Sequence, residues 1–138
     1  MGTLIDSNVF VEVERGKLDL SAWIRRRAGD VLGISAITVS ELLHGVHRAP
    51  AGRLHEARRA FVEHVIDVVP VHPFDTDAAR VHAELGARLA AHGARNGAHD
   101  LMIAATALSL GFGVATLNVA EFARVPRLAV SNPAAASP

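Results

Sequence analysis

The chain has 138 residues, half of them hydrophobic but only 4% aromatic, so one core built from Ala, Val, Leu and Ile is expected and a second would not fit. Cysteine is absent, which excludes disulfides and thiolate metal sites and leaves carboxylate or imidazole groups for any metal. Fourteen basic and fourteen acidic residues cancel, which removes any global electrostatic case for nucleic-acid binding, although thirteen of the basic residues are Arg, the better bidentate phosphate ligand.

In chain order, Thr3-Leu4-Ile5 is a short apolar run that stops at Asp6-Ser7-Asn8, as a buried strand does when its end delivers polar side chains, and Val9 to Glu14 suits a helical turn. Leu20 to Ala28 interleaves Leu20, Trp23 and Ile24 with Arg25, Arg26 and Arg27, an amphipathic helix stopped by Gly29-Asp30. Val31 to Ile34 is a second buried strand, with Ser35 and Thr38 as candidate caps for a helix through Glu41 and Val46 that Ala49-Pro50 ends. Arg53 to Val65 carries apolar residues at helical spacing, and Val68 to Val71 is a weaker strand, placed near an edge because Pro70 removes a donor.

Asp75 or Thr76 caps a long helix running to about His92, closed by Gly93, and Gly97 opens a loop. Asp100 to Leu110 is nearly all apolar and predicts a buried helix with Gly111 as its C′ residue. Gly113 to Thr116 and Leu128 to Val130 complete the strands. Residues 1–131 make one domain in this reading, and Asn132 to Pro138 a flexible tail. Alternation of this kind predicts an α/β fold with a mostly parallel sheet and helices on both faces.

No apolar stretch approaches the roughly 18 residues of a membrane span, and no basic region precedes the short apolar run at Met1 to Ile5, so a cytoplasmic protein without membrane association is expected.

Ligands of open parallel sheets bind outside the carboxyl ends of the strands, where strand order reverses. Asp6 follows the first strand, Glu41 lies early in the helix after the second, Asp100 begins the buried helix, and Glu121 follows the fourth strand by a short loop. All four can meet at one mouth. Such crowding raises carboxyl pKa values unless cations neutralise it, and oxygen-only ligands favour Mg²⁺ or Mn²⁺. One or two such ions would serve phosphodiester hydrolysis.

Each acid also has a plain structural role to weigh. Thr38-Val39-Ser40-Glu41 reads as a capping box, and Asp100 as a first-turn acid favoured by the helix dipole. Asp6 has no such routine purpose. Glu41-x-x-His44 also occurs in di-iron bundles, but those need two such pairs on antiparallel helices. His99 is expected in a loop or facing a partner. The Arg groups around positions 25 to 27 and 48 to 59 read as solvated faces, some of which would line an RNA groove.

Four segments, Leu4 to Phe10 (LIDSNVF), Ile37 to Gly45 (ITVSELLHG), Asp100 to Ala107 (DLMIAATA) and Ala115 to Phe122 (ATLNVAEF), together resemble the PIN-domain ribonucleases, specifically the VapC-type toxins of bacterial toxin-antitoxin modules. The resemblance implies a three-layer α/β/α sandwich and a Mg²⁺-dependent endoribonuclease, usually a homodimer, inhibited by a cognate antitoxin that covers the active-site groove. It makes Asp6 and Asp100 the principal metal ligands and Glu41 the second acid. Many family members carry Asp where this chain has Asn118, and many of the toxins carry Asp where it has Glu121; Thr116 and Asn118, with Ser7, are then supporting residues that hold water or neighbouring carboxylates.

Two other functions compete. A haloacid-dehalogenase-like phosphatase also places Asp after its first strand, but it needs a second Asp where this chain has Asn8 and a late Lys, whereas the only Lys is Lys17. The other is a PIN fold without catalysis, serving as a binding or dimerisation module.

Overall fold

Among the described residues, five short strands, β1 (Gly2–Ile5), β2 (Val31–Ser35), β3 (Val71–His72), β4 (Gly113–Ala115) and β5 (Val130–Ser131), pair side by side in the order β3-β2-β1-β4-β5. Every pairing is parallel. The computed structural model describes residues 1–93 and 96–135.

β1 is central, and the chain builds outward from it first through β2 to β3, then through β4 to β5. Strand order therefore reverses between β1 and β4, with Thr3, Leu4 and Ile5 in register with Gly113, Val114 and Ala115. This is where a crevice opens above the carboxyl ends of an open parallel sheet.

Successive strand side chains point to opposite faces, and each face has its own core. Ile5, Ile34 and Ala115 pack with Val9, Phe10, Trp23, Leu42, Val46 and Val62 on one side. Leu4 and Val114 pack with Leu85, Ile103, Ala104, Phe122 and Val125 on the other. The first layer holds α1 (Ser7–Glu14), α2 (Leu20–Arg26), α3 (Ala36–Arg48) and α4 (Arg53–Val68). The second holds α5 (Thr76–Ala91), α6 (Ala98–Leu110) and α7 (Val119–Ala123). The three-layer sandwich implied by the sequence is the architecture found.

Most predicted elements stand within a residue or two, and the departures have local causes. α4 continues to Val68, with Val68 solvent-exposed, because the helical ladder holds until Val69 turns extended ahead of Pro70. The edge strand is accordingly Val71–His72 and not Val68 to Val71. The last strand is Val130–Ser131 rather than Leu128 to Val130: Arg127 turns with φ 68°, so the chain reaches extended pairing later. Gly97 is the N-cap of α6, which starts two residues before Asp100.

The capping box at Thr38 is not formed. Ser35 caps α3 by accepting from the Ile37 N–H at 3.0 Å, and Thr38 is fully buried inside the helix. Glu41 is thereby released from capping. Of the tail expected from Asn132 onward, Asn132 accepts the Ala134 N–H at 2.9 Å and Pro133 is buried, while 136–138 lie outside the described residues.

Gly113 shows how tightly β4 is flanked. A Cβ there would lie 2.7 Å from the Ala129 carbonyl oxygen, a backbone atom that cannot swing aside. α6 ends on Gly111 in the left-handed conformation at φ 71°, which turns the chain straight into β4.

Phe122 is the largest fully buried side chain and seats α7 against the second core. Phe122→Ala is expected to cost about 3 to 5 kcal/mol in a denaturant titration, since it leaves a cavity in a closely packed core.

Candidate active site

The ends of β1 and β4 meet at Asp6, which is only 3% exposed and caps α1, a routine structural role that the sequence did not lead one to expect for it. Its Oδ1 accepts the Ser7 N–H at 2.8 Å and its Oδ2 accepts the Thr116 hydroxyl at 2.7 Å. Thr116 stands just past β4 and is fully buried. Its hydroxyl oxygen accepts from Asn8 Nδ2 at 3.3 Å and from the Asn118 N–H at 2.9 Å. With both acceptor positions used, the single hydroxyl proton is directed at Asp6. Asn8 closes the loop, because its Oδ1 accepts the Leu117 N–H at 3.1 Å.

Burial pushes the Asp6 carboxyl pKa above its ordinary value. The bonds from Thr116 and Ser7 pull against that rise, and the nearby Glu41 charge adds to it.

Asp100 lies in the first turn of α6 and accepts from Asn118 Nδ2 at 3.4 Å. Its pKa is pushed from 3.8 to about 6, first by burial and then by the charges of Asp6, Glu121 and Glu41, with His99 acting in the opposite sense. Three of the four carboxylates picked from the sequence thus act electrostatically on the fourth. Among the described residues, no three carboxylate or imidazole groups stand close enough together to enclose a cation by themselves.

Glu41 is held from two sides. Ser7 Oγ donates to Oε1 at 3.2 Å, and His99 Nδ1 lies 3.3 Å from Oε2, where a carboxylate can only accept, so the proton belongs on Nδ1. His99 is on the first turn of α6 and not in a loop.

Glu121 has a different local task. The N-cap Gly97 has no side chain with which to cap α6, and Glu121 Oε1 accepts its N–H at 2.6 Å while Asn96 Nδ2 donates to the Glu121 carbonyl at 2.7 Å. Glu121 Oε2 also lies 3.8 Å from Arg124. One carboxylate therefore pins α7 to the start of the helix that carries Asp100.

Ser7, Thr116 and Asn118 are expected from the sequence as supports, whereas the roles of Asn8, His99 and the Glu121–Gly97 link are not. Asn8 had a signal in its place two residues after Asp6, on the first turn of a helix. The Glu121–Gly97 link had no such signal, because it joins positions 24 apart. The His99 contact had none, because it joins helices 58 positions apart.

The PIN domain family profile matches residues 3–128 of the chain. "Ribonuclease VapC" of Rickettsia bellii is 33% identical over 94% of this chain and 95% of its own length. "tRNA(fMet)-specific endonuclease VapC" of Salmonella typhimurium is 37% identical over 72% of this chain and 73% of its own. Among solved structures, a member of the VapBC family of toxin-antitoxin systems from Mycobacterium tuberculosis, VapBC-5, superposes with a TM-score of 0.77 at 30% identity, covering 95% of this chain and 98% of that one.

Asp100 supplies a test of this electrostatic arrangement. Because its pKa is raised on folding, the folded protein holds that proton more tightly than the unfolded chain does; the advantage is complete below about pH 3.8 and lost as pH rises through about 6. Asp100→Asn keeps the shape and removes the charge. In chelator-treated protein near pH 7.5 it should raise the melting temperature by a few degrees, about 1 kcal/mol after solvent screening, and near pH 4 the two proteins should melt together.

Proposed function

Because this chain belongs to the PIN domain family, in its VapC ribonuclease branch, we propose that it is an endoribonuclease toxin whose reaction centre is the Asp6–Asp100 crevice, completed by Glu41. The observation that carries this reading is the position of Asp6: an acid almost wholly buried at the strand-order switch, oriented by two directed hydrogen bonds, with a second acid nearby whose ionisation its charge opposes.

The donor set fits a hard divalent cation. It consists of oxygens alone, and both Asp6 and Asp100 resist ionisation without a compensating positive charge. A site with a pair of carboxylates and no closed cage suits Mg²⁺, which keeps several waters and is commonly bound through one or two carboxylates plus substrate phosphate. Mg²⁺ is therefore the proposed ion, held by Asp6 and Asp100 with Glu41 alongside, and Mn²⁺ is its substitute. A cation bound here supplies charge neutralisation and Lewis acidity at the scissile phosphate.

The chain's own groups do the rest. Thr116 and the Ser7 N–H keep the Asp6 carboxylate in one orientation, Asn118 steadies Asp100, and Glu41 is held by Ser7 and His99 as the carboxylate that takes the proton of the attacking water. Glu121 works at one remove, by fixing the start of α6.

A cognate antitoxin is the proposed regulator. A cavity of about 180 Å³ lined by Phe10, Val11, Leu42 and Phe61, and also by Glu14, Arg15 and Arg58, runs up to Ser7 and Glu41, so an amphipathic segment seated there would lie against Glu41. The chain is proposed to act as a homodimer. No helix among the described residues is long and apolar enough to cross a membrane.

Purified protein incubated with total RNA and Mg²⁺ should yield discrete cleavage ends. Chelation should abolish them, Mn²⁺ should restore them, and Asp6→Asn or Asp100→Asn should each lower the rate by at least about a hundredfold. Cleavage that persists in both variants would place the chemistry elsewhere on the molecule.

A further inference from the structure

Beside the carboxylates, on the solvent side, a second cavity of about 340 Å³ is lined by Ser40, Glu41, His44 and His99. That volume is at the low end of the roughly 300–1,000 Å³ spanned by small-ligand pockets. Glu41 belongs to both the reaction centre and this cavity, so whatever fills it is contiguous with the scissile position. Ser40 and His44 take no part in holding Asp6 or Asp100, whereas His99 holds Glu41 and acts electrostatically on Asp100.

The two imidazoles arrive from different helices. His44 is one turn beyond Glu41 on α3, and His99 is on the first turn of α6 beside Asp100. Both are exposed. His99 is tethered through Nδ1 to Glu41, which fixes the ring and leaves Nε2 and the ring face available. Unstacked RNA bases are held by stacking on aromatic or imidazole rings and by hydrogen bonds to their edges, and such contacts tolerate nearby carboxylates far better than a phosphate does.

We propose that His44 and His99, with Ser40, form a nucleobase subsite for the nucleotide flanking the scissile phosphate. The inference rests on the endoribonuclease reading and adds to it where the substrate is gripped. The imidazole faces supply the stacking surface, and the Ser40 hydroxyl and ring nitrogens supply donors and acceptors for a base edge. Neither ring is needed for the core, so the pair can be changed without unfolding the protein.

The test is anisotropy of short fluorescent RNA oligonucleotides, each abasic at one position, on the full chain with Ca²⁺ in place of Mg²⁺ to hold cleavage back, followed by cleavage of the same oligonucleotides with Mg²⁺. One abasic position is expected to weaken binding about tenfold. His44→Ala and His99→Ala should each erase most of that difference, and His44→Phe, which keeps a stacking face, should retain it. Cleavage with no position-dependent loss of binding, or a loss unchanged in both alanine variants, overturns the subsite and leaves the nuclease assignment standing. A chain that neither binds nor cleaves any of the oligonucleotides overturns both.

Discussion

A buried hydroxyl-to-carboxylate bond across the point where strand order reverses, Thr116 to Asp6 at 2.7 Å, is the constraint on which the rest of this site depends. It can exist only because β1 and β4, more than a hundred residues apart in sequence, are neighbours in register. Asp6 follows the last residue of one strand and Thr116 the last residue of the other, so the pairing that closes the sheet also sets the distance between them. The bond is directional as well as short. Asn8 and the Asn118 N–H occupy the acceptor side of the hydroxyl, so its proton has one destination. An acid this buried would otherwise be free to protonate and turn away.

The second acid is governed by a contest that the fold does not resolve in favour of charge. Asp100 occupies the first turn of a helix, where the dipole favours a carboxylate by about 0.3 to 1 kcal/mol. Burial and three neighbouring acids oppose it, and the net result is a pKa of about 6, so the dipole loses. Glu121 contributes to the repulsion and also anchors the helix: by accepting the Gly97 N–H it ties α7 to the residue from which α6 starts. The same side chain thus makes Asp100 harder to ionise and holds it in place. A cation is the simplest agent that relieves the first effect without undoing the second.

Most of this fold was readable because its signals are local. Thr3-Leu4-Ile5 ending at Asp6, the apolar run of α6 and the cap at Asp75 each follow from a few adjacent residues, and each appears where expected. The misplaced features share a different property: they are decided by competition or by contact over distance. Ser35 and Thr38 both offered a cap for α3, and the earlier residue prevailed while Thr38 went into the core. α4 ran past its expected end because one exposed valine costs little when the ladder can continue to Val69. Glu121 was legible as an acid near the mouth, but its bond to Gly97 spans 24 positions and has no sequence pattern. The meeting of the acids was inferred from strand ends and helix starts, and Asp100 feels the charges of the three others.

The mouth has two walls of unlike character, and that difference follows from burial. On the sheet side, Asp6 and Thr116 are nearly or wholly enclosed and bonded to each other just past the β1–β4 pairing; a change there disturbs the geometry and leaves a buried polar group without its partner, which is the expensive kind of loss. On the solvent side, Ser40, His44 and His99 project from helix surfaces whose apolar faces pack elsewhere, so their identity can change at little cost to the core. Glu41 is the residue the two walls share, bonded to Ser7 from one and to His99 from the other. Replacing Ser40 or His44 would leave the buried bonds of Asp6 and Thr116 untouched, whereas His99 is tied through Glu41 to Ser7, whose N–H holds Asp6.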